Sequence, residues 1–392
     1  MNKLWEYRKI GDVCVVERGG SPRPIDKFIT VDEDGINWIK IGDTSDSMYI
    51  TETAQKIIPE GMKKSRYVKP GDFLLSNSMS FGRPYILKID GCIHDGWLVL
   101  RDEQEFFDKR FLYYYLSSKT TYEKFRSMAV GGVVNNLNSE MVRKVEVPVP
   151  SKTEQSDIAD LLDGLKQVLD SRKKELQLLD ELIKARFVEM FGDPNDTKRV
   201  SDSRHKIGEL CDVTKLAGFE FTEYINYQDS GEIIMLRGLN CKQGKLVLDN
   251  VKYIDRETSN KLPRSRLYVG DILMTYAGTI GDVAMVDEDD KYHLAPNVAK
   301  ISIVAKDMLN PTFLVHLFMY SHDYIMTFAS QVAQASINMQ KIRDFEYIIP
   351  SMEEQIEFEQ FANQVNKSKV AVQKTLEQTQ TLFDSLMQKY FG

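Results

Sequence analysis

The sequence has few cysteines and no long apolar run. Four cysteines occur in 392 residues (Cys14, Cys92, Cys211 and Cys241), and no two of them form a CxxC pair. This spacing argues against a zinc site and against a disulfide framework, so we expect reduced thiols. No apolar run approaches the roughly 20 residues that a membrane span needs, and residues 1–6 lack the apolar core of a signal peptide. These absences predict a cytoplasmic protein that has no contact with a membrane.

The motifs of common enzyme classes are also missing. The chain has no P-loop, HExxH, GxSxG or glycine-rich dinucleotide motif, and no (Asn/Asp)-Pro-Pro-aromatic motif of amino-methylating enzymes. Its five histidines show no metal-ligand spacing. Asp72 and Asp271 are candidate catalytic carboxylates, but each follows a glycine at the start of a predicted strand, where a turn explains it. The sequence therefore predicts a noncatalytic protein with no cofactor and no metal.

An internal repeat with an offset of about 200 residues is the strongest signal in the chain. Pro150-Ser151-x-x-Glu154-Gln155 recurs as Pro350-Ser351-x-x-Glu354-Gln355, and the runs that follow end at Phe191-Gly192 and Phe391-Gly392. Near the other end of each repeat, Lys9-Ile10-Gly11 corresponds to Lys206-Ile207-Gly208. Such a duplication predicts two similar heads, each followed by a long helix.

Each long run has the start signal and the spacing of a coiled-coil helix. Ser151 and Ser351 are each followed three residues later by glutamate, which is the capping-box pattern. Apolar residues then recur at alternating steps of four and three, an average of 3.5 residues. The predicted seam of the first run is Ile158, Leu162, Leu165, Leu169, Arg172, Leu176, Leu179, Ile183, Arg186 and Met190. The second seam is Phe358, Ala362, Val365, Lys369, Val372, Leu376, Thr379, Phe383, Leu386 and Tyr390.

The relative direction of the two helices follows from the length of the linker. A helix of 41 residues is about 60 Å long, whereas the linker 193–205 spans at most about 45 Å. The second head connects the end of the first helix to the start of the second, so these two ends lie near each other if that head is compact. The helices are therefore predicted to run antiparallel. Leu161, Val168, Leu178, Leu182 and Phe187 lie off the seam and are expected to bury against a head or a partner subunit.

The two heads have the pattern of short strands separated by turns, with helices at residues 111–128 and 311–329. Gly71-Asp72 corresponds to Gly270-Asp271, and Gly82 corresponds to Gly281. We therefore predict an α+β fold with two similar β-rich heads separated by two long helices that form an antiparallel coiled coil. The predicted boundaries are a first head at 1–150, a central helix at 151–192, a linker at 193–205, a second head at 206–350 and a C-terminal helix at 351–392.

The charge is acidic overall but is distributed unevenly. The net charge is −7, and the two helical runs contribute −4 of it, whereas residues 1–150 carry 22 Lys and Arg against 21 Asp and Glu. Net charge governs nonspecific affinity, but the arrangement of basic residues decides whether a surface can accept phosphate. Composition therefore leaves DNA binding open.

The duplicated pattern of head and helix, with its Pro-x-x-x-Glu-Gln start at residues 150–155 and 350–355, resembles the specificity subunit of type I restriction–modification systems. The resemblance covers essentially the whole chain. It implies two target-recognition domains that each read one half of a split double-stranded DNA site. It also implies that the helices dock two methyltransferase (modification) subunits, which motor/nuclease restriction subunits join. The methyl donor and ATP would then belong to those partners.

Candidate DNA-contact residues are polar and basic side chains in loops, where base edges and phosphates can be reached. Amides suit adenine edges, whereas lysines give charge without directional readout. In the first head the candidates are Arg18, Ser21, Arg23, Lys63, Lys64, Arg66, Ser76, Asn77, Ser78, Arg83, Asn135, Asn136 and Asn138. In the second head they are Lys215, Arg264, Arg266, Tyr276, Thr279, Gln334, Ser336, Asn338 and Gln340. For any single candidate, an ordinary turn is the alternative explanation.

Two other classes of function are compatible with the same sequence. One is a noncatalytic bridging or scaffold protein whose two heads bind protein partners. The other is an enzyme with a dispersed active site on carboxylates such as Asp72 and Asp271. DNA binding that depends on a two-part sequence would separate the proposed specificity subunit from a bridging protein.

Overall fold

A computed structural model describes residues 5–77, 82–129, 136–196, 204–330 and 335–392. The chain divides into two compact units, one formed by Met1–Lys173 with Lys374–Gly392 and the other by Lys174–Gln373. We call them unit 1 and unit 2. Each unit therefore combines one head with parts of both long helices. The predicted domain boundaries divide the chain differently, between heads and helices, and they remain a prediction.

The head of unit 1 is built from two five-stranded sheets and a two-stranded ribbon. The first sheet has the order β2-β11-β8-β9-β5, the second has the order β3-β6-β4-β10-β7, and β1 pairs with β12. The strands are β1 (Tyr7–Lys9), β2 (Val15–Arg18), β3 (Ile29–Thr30), β4 (Ile36–Ile39), β5 (Tyr49–Ile50), β6 (Lys56–Ile57), β7 (Arg66–Val68), β8 (Phe73–Ser76), β9 (Pro84–Leu87), β10 (Gly91–Ile93), β11 (Trp97–Arg101) and β12 (Glu146–Pro148). The helices are α1 (Ile10–Val13), α2 (Pro59–Met62), α3 (Lys109–Ser117), α4 (Lys119–Ala129) and α5 (Ser139–Arg143).

The long helix α6 (Lys152–Phe191) follows the first head and has 40 residues. The head of unit 2 then repeats the first architecture with smaller sheets, in the orders β14-β22-β19-β20 and β18-β15-β21. Its strands are β13 (Arg204–Lys206), β14 (Cys211–Lys215), β15 (Ile233–Leu236), β16 (Cys241–Lys242), β17 (Lys245–Leu246), β18 (Lys252–Ile254), β19 (Ile272–Thr275), β20 (Val283–Met285), β21 (Tyr292–Leu294), β22 (Val298–Ile303) and β23 (Glu346–Ile348). Its helices are α7 (Ile207–Leu210), α8 (Gly218–Tyr224), α9 (Arg256–Lys261), α10 (Pro311–Tyr320), α11 (His322–Met326) and α12 (Met339–Arg343). The chain ends with α13 (Met352–Phe391), which also has 40 residues.

The helix predicted at residues 111–128 is two helices in the structure. Ser118 adopts an extended backbone conformation after α3, and its Oγ accepts a hydrogen bond from the backbone N–H of Thr121 at the start of α4. A serine in this position caps the next helix, so the chain turns there. In the same way α10 and α11 replace the single helix that was predicted at 311–329.

The two long helices run antiparallel within unit 2. Lys369 forms an ion pair with Asp180, and Arg186 lies 2.7 Å from Glu357. The residue number therefore increases along α6 in the direction in which it decreases along α13. In unit 1 the start of α6 and the end of α13 share one hydrophobic core, which includes Leu162. All twenty predicted seam positions are buried or half-buried, which confirms the period of 3.5 residues.

The residues that lie off the seam of α6 divide into two groups. Phe187 is fully buried in the core of unit 2, where its ring stacks on Phe313 with centroids 5.6 Å apart. Leu161, Val168, Leu178 and Leu182 are instead between 41% and 52% exposed. Phe187 therefore buries against a head, as expected, whereas burial of the four others against a partner subunit stays a prediction.

The repeated Pro-x-x-x-Glu-Gln segment attaches each head to its helix. The Oε1 atom of Gln155 accepts from the backbone N–H of Asp108 at 2.8 Å, and its amide nitrogen donates to the carbonyls of Phe106 and Pro150. Burial of this side chain is complete. The glutamine of the motif therefore joins the first turn of α6 to the start of α3.

The repeated Lys-Ile-Gly segment has a packing role. A Cβ atom added at Gly11 would lie 2.9 Å from Cβ of Arg143, and one added at Gly208 would lie 2.7 Å from Cβ of Arg343. The arginine guanidinium in each head donates to a backbone carbonyl of the adjacent strand. The glycine is thus required by the close approach of α5 or α12. In the part of the chain that the structure describes, no helix is both long and apolar enough to cross a bilayer.

Candidate nucleic-acid interface

Four of the predicted contact residues converge on Asp95, in the turn between β10 and β11. The Nε atom of Arg18 donates to the Asp95 carbonyl at 3.2 Å, and Nδ2 of Asn77 donates to the same oxygen at 2.8 Å. The Oγ atom of Ser21 lies 3.0 Å from Asp95 Oδ1, and Nη2 of Arg23 lies 3.3 Å from Oδ2. Sequence reasoning named these four residues separately and missed Asp95, because contacts between residues so far apart leave no local pattern.

The Asp95 carboxylate is held in its charged form by its neighbours. Burial alone would raise the pKa of Asp95, but the hydrogen bond from Ser21 and the contacts with His94 and Arg23 together hold the pKa below its ordinary value. The Nε2 atom of His94 lies 2.9 Å from Asp95 Oδ1. The Arg23 side chain is still 81% exposed, so it is oriented by Asp95 and accessible to a ligand. A carboxylate that orients arginines in this way prepares them for an anionic partner.

Two glycines hold the Arg18–Arg23 loop between other parts of the head. A Cβ atom added at Gly19 would lie 2.2 Å from the carbonyl oxygen of His94, and one added at Gly20 would lie 2.9 Å from that of Lys64. Lys63 and Lys64 are exposed just after α2. The close approach at Gly20 therefore brings two lysines to the edge of the arginine loop, where they suit phosphate contact.

The other basic candidates of this head are partly neutralised. The Nη1 atom of Arg66, on β7, lies 3.1 Å from a carboxylate oxygen of Glu17. The Nη2 atom of Arg83 lies 3.3 Å from the Ser45 carbonyl and 3.4 Å from Asp46 Oδ1, at an exposed edge. Both guanidinium groups would exchange or share these partners on binding a phosphate.

Ser76 and Asn77 are buried, with 0% and 2% of their surface exposed. The Oγ atom of Ser76 accepts from the backbone N–H of Arg83 at 2.9 Å, and the N–H of Gly82 donates to the Ser76 carbonyl. These bonds close the loop between β8 and β9. The two side chains therefore position the loop, and Ser78, which was predicted beside them, lies outside the described residues.

The amide cluster before α5 is divided between two roles. Asn138 is the N-cap of α5, since its Oδ1 atom accepts from the backbone N–H of Met141 at 2.9 Å. Its side chain is exposed, and that of Asn136 is half-buried. Asn135 lies outside the described residues. The capping bond uses the oxygen of Asn138 and leaves its amide nitrogen pointing away from that bond.

The second head has the same backbone frame with different side chains. Gly281 donates to the Thr275 carbonyl as Gly82 does to Ser76. The backbone N–H of Tyr276 donates to the Asn297 carbonyl at 3.0 Å, where the N–H of Asn77 donates to the Gly96 carbonyl. In this register the residues that correspond to His94 and Asp95 are Ala295 and Pro296. The carboxylate that binds Ser21 and Arg23 is therefore specific to the first head.

Two candidates of the second head, Lys215 and Thr279, lie near a third, Tyr276. The Nζ atom of Lys215, at the end of β14, is 5.6 Å from the centroid of the Tyr276 ring. The Tyr276 hydroxyl accepts from the backbone N–H of Asn297 at 3.3 Å. Thr279 is exposed in the same loop, and its carbonyl accepts a hydrogen bond from the hydroxyl of Thr275. A lysine above an aromatic ring presents both charge and a stacking face to a nucleic acid.

The remaining candidates of this head are placed separately. Arg264 is exposed in a short turn, and Arg266 forms an ion pair with Asp290 of the acidic run at residues 287–290. Asn338 is the N-cap of α12, as Asn138 is of α5. Gln340 donates to Asp344 at 3.2 Å.

Ser336 closes a short loop in the second head. Its backbone N–H donates to Oγ of Ser330 at 3.0 Å, and its carbonyl accepts from the Ser330 N–H at the same distance. A β-bridge also joins Ser336 to Ala277. Gln334 lies outside the described residues.

The four cysteines are all buried, and burial disfavours the thiolate form. Burial raises the pKa of Cys14, Cys211 and Cys241 to about 12 in each case. Across residues 5–77, 82–129, 136–196, 204–330 and 335–392, no cluster of His, Cys, Asp and Glu is arranged to hold a metal ion. What the exposed loops offer is positive charge and hydrogen-bonding groups.

A family model for the type I restriction modification DNA specificity domain matches residues 2–181 and again residues 204–379. Among curated relatives, the EcoBI specificity subunit of Escherichia coli is 25% identical over 390 residues, which cover 92% of this chain and 80% of the relative. The StySPI specificity subunit of Salmonella potsdam is 20% identical over 414 residues, which cover 98% and 87%. Both relatives match along nearly the whole length of the chain.

Solved structures share the fold. A chain from work on the assembly and conformational transition of the type I R-M system has a TM-score of 0.63, with 15% identity over 99% of this chain and 97% of that chain. The S subunit of the type I restriction–modification system from M. genitalium has a TM-score of 0.56, with 14% identity over 100% and 97%. At this level of identity the likeness concerns the fold, and it extends over both heads and both long helices.

Proposed function

The chain belongs to the family of type I restriction modification DNA specificity domains, and from this premise we propose that each head reads one half of a split double-stranded DNA site. It is the DNA-recognition subunit of a type I restriction–modification system and has no catalytic role. The proposal adds that the two heads read different half-sites.

The observation that carries the proposal is a shared frame with different exposed groups. Both heads use the same backbone hydrogen bonds to hold the loops after β8 and β19. The first head places His94 and Asp95 beside its loop, whereas the second has Ala295 and Pro296 in that register. Two similar frames that present different chemistry are suited to reading two different half-sites.

The candidate residues divide into two kinds of contact. Lys63, Lys64 and Lys215 supply charge for phosphates. Arg18 and Arg23, oriented by Asp95, present forked donors that suit guanine edges or phosphates. The amide nitrogen of Asn138 suits an adenine edge. This assignment of residues is a proposal that the chemistry of the exposed groups supports.

Exposed apolar side chains on the long helices support docking of partner subunits. Leu161, Val168 and Leu182 lie at multiples of seven residues on α6 and are 43%, 41% and 46% exposed. Val370 on α13 is 70% exposed. Apolar rows of this kind on a helix are typical of a protein interface. We assign this surface to two methyltransferase subunits, which motor/nuclease subunits join, in the cytoplasm where the DNA is.

Exchange of one head tests the division of labour. The second head, residues 206–350, is replaced by that of another family member, and the chimaera is expressed with its methyltransferase partner. Sequencing of the methylated sites is expected to show a change in one half of the recognised sequence only. The unmodified chain with the same partner is the control, and a change in both halves would contradict independent readout.

A direct binding measurement separates this function from that of a bridging protein. The complex with methyltransferase is titrated with duplexes in which the first half-site, the second half-site or neither is scrambled. Loss of tight binding with either scrambled half is expected. Equal affinity for all three duplexes would favour a scaffold whose heads bind proteins.

A further inference from the structure

Unit 2 contains a cavity of about 680 Å³ that is lined by none of the predicted DNA-contact residues. It lies between the β16–β17 hairpin, α10 and the two long helices. Its volume is in the range of small-molecule sites in proteins. The residues that line it include the charged side chains Asp180, Lys242, Lys245, Asp282 and Lys369, which give one surplus positive charge.

Four titratable groups of the cavity interact with one another. Lys369 is paired with Asp180, and Nζ of Lys245 donates to Oδ1 of Asn366 at 3.3 Å. The Lys369 side chain is only 17% exposed. Burial and the charge of Lys369 lower the pKa of Lys245, and burial lowers the pKa of His316. The two ammonium groups therefore repel each other although Asp180 pairs with Lys369, and an added anion would relieve that repulsion.

His316 is a lining residue of this cavity, and one of its ring nitrogens is held by the backbone. The side chain is 9% exposed, and its Nδ1 atom lies 2.7 Å from the carbonyl oxygen of Thr312. A carbonyl can only accept, so Nδ1 carries the proton and Nε2 of the neutral ring is an acceptor. The ring lies in the cavity wall with Tyr320. A ligand hydroxyl or N–H would satisfy Nε2.

The position that corresponds to Lys369 in unit 1 is apolar. Two hundred residues before Lys369 is Leu169, which is 2% exposed. A nearly buried lysine costs more free energy than a leucine unless partners compensate it. Packing of the long helices against a head therefore does not require this ammonium group. The residue that corresponds to His316 is Tyr114, because the N-caps of α3 and α10 are Asp108 and Asn310.

A tight hairpin places Lys245 at the cavity. Gln243 and Gly244 both have positive φ angles, 49° and 77°, as a two-residue turn between β16 and β17 requires. A Cβ atom added at Gly244 would lie 2.6 Å from Sδ of Met319. The hairpin is thus seated directly on α10. In unit 1 the equivalent of Lys245 is Tyr49. The backbone N–H of Ile86 donates to the carbonyl of Met48, just before Tyr49, and the N–H of Met285 donates to that of Gly244, just before Lys245.

The apolar part of the wall consists of Ile183, Leu246, Val247, Met285, Val315 and Met319, and Gln243, Thr312 and Asn363 add polar groups to it. We propose that this cavity binds a small organic anion, a carboxylate or a phosphate monoester with an apolar body. The anionic group lies between Lys245 and Lys369, and the body lies against the aliphatic wall and Tyr320. This site is independent of the DNA-reading role, because it shares no residue with the predicted contacts.

Calorimetric titration of the full chain tests the proposal. The probes are adenosine monophosphate, 3-phenylpropionate and the neutral control adenosine. We expect saturable binding of at least one anion with a Kd of about 1 mM or lower, and no binding of adenosine. Which anion binds distinguishes a phosphate from a carboxylate ligand.

Substitutions in the cavity wall separate binding from folding. Lys369→Leu installs the residue of unit 1, His316→Leu removes the buried imidazole, and Lys245→Met removes one charge while it keeps the side-chain length. Affinity for the anion is expected to fall at least about tenfold in Lys369→Leu and Lys245→Met, with thermal melting retained. Lys367→Leu, on the exposed side of the same helix, is the matched control and should bind as the parent does.

Two results would overturn the proposal. One is the absence of saturable binding by either anion up to about 10 mM, or an affinity that Lys245→Met and Lys369→Leu leave unchanged. The other is protection of Lys245 from acetylation only when a methyltransferase subunit is added. That result would assign the cavity to a protein contact.

Discussion

Gln155 and Gln355, which lie 200 residues apart, make the same three hydrogen bonds. Gln155 accepts from the backbone N–H of Asp108, the N-cap of α3, and Gln355 accepts from that of Asn310, the N-cap of α10. Both distances are 2.8 Å. Each donates to the carbonyl of its own preceding proline and to one further carbonyl of its head. Both side chains are fully buried. The repeat conserves this joint between head and helix although the exposed loops differ.

Removal of either glutamine should destabilise the unit that contains it. In Gln155→Ala or Gln355→Ala, one backbone N–H and two carbonyls lose a buried partner, and each such loss costs about 1–3 kcal/mol. We expect a loss of about 3 kcal/mol in the free energy of unfolding, measured in denaturant. Gln380→Ala, at an exposed position of α13, is the control and should change stability little. A variant at position 155 as stable as this control would show that the joint contributes nothing.

The seam of the long helices should support a specific crosslink. Leu165 and Leu386 are half-buried seam residues of unit 1, and they lie close to the antiparallel register of the two ion pairs in unit 2. The double variant Leu165→Cys, Leu386→Cys is expected to form a disulfide on oxidation. Gln167→Cys, Leu386→Cys moves one cysteine by two residues, to an exposed position on the opposite side of α6, and should not crosslink. Efficient crosslinking of that control pair would contradict the seam.

Asp95 should make stability depend on acid pH. Its carboxyl has a lower pKa in the folded protein than its ordinary value of 3.8. A carboxyl of this kind stabilises the fold above the unfolded pKa, and that stabilisation is lost as the pH falls through the folded pKa. Below about pH 4 the parent protein should therefore lose stability more steeply than Asp95→Asn. Urea unfolding at a series of pH values measures the free energy of unfolding, and the exposed Asp34→Asn variant is the control. The same pH dependence in the parent and in Asp95→Asn would refute the prediction.

The exposed row on α6 should matter for partners and not for folding. Leu182 is 46% exposed, and Leu182→Glu is expected to shift stability by at most about 0.5 kcal/mol. Because an apolar interface does not tolerate a buried unpaired charge, the same change should reduce co-purification of the methyltransferase subunit. Glu181→Gln, on the adjacent exposed position, serves as control. Normal recovery of the partner with Leu182→Glu would remove this residue from the docking surface.

The sequence predicted the long helices well because their signals are local. A capping box and a repeat of 3.5 residues depend on neighbours within two turns, and all seam positions are at least half-buried. The break at Ser118 was not predicted, because an amphipathic pattern continues through a single capping residue. The sequence does not distinguish burial of Phe187 against a head from burial against a partner subunit, because its contact with Phe313 joins distant segments.

The candidate site was predicted in composition but not in arrangement. Arg18, Ser21, Arg23 and Asn77 are turn-type residues that sequence alone can mark. Their common partner Asp95 lies at least 18 residues from any of them along the chain. Only the pairing of β11 with β2 and β8 brings the three segments together. The turn residues Gln243 and Gly244, in contrast, carried a local hairpin signal that sequence reasoning overlooked.

Unit 1 consists of two segments that lie far apart in the chain, so its core is completed late in synthesis. Its core contains Phe391, whose ring lies 5.4 Å from that of Phe111 and 5.9 Å from that of Tyr115. During translation Phe111 leaves the ribosome about 280 residues before Phe391, which at 5–20 residues per second is a delay of roughly 14 to 56 s. The first head therefore waits with an uncovered aromatic surface while unit 2, a continuous stretch of chain, is synthesised. Termination of translation before Phe391 would leave the first head without the ring that packs on Phe111 and Tyr115.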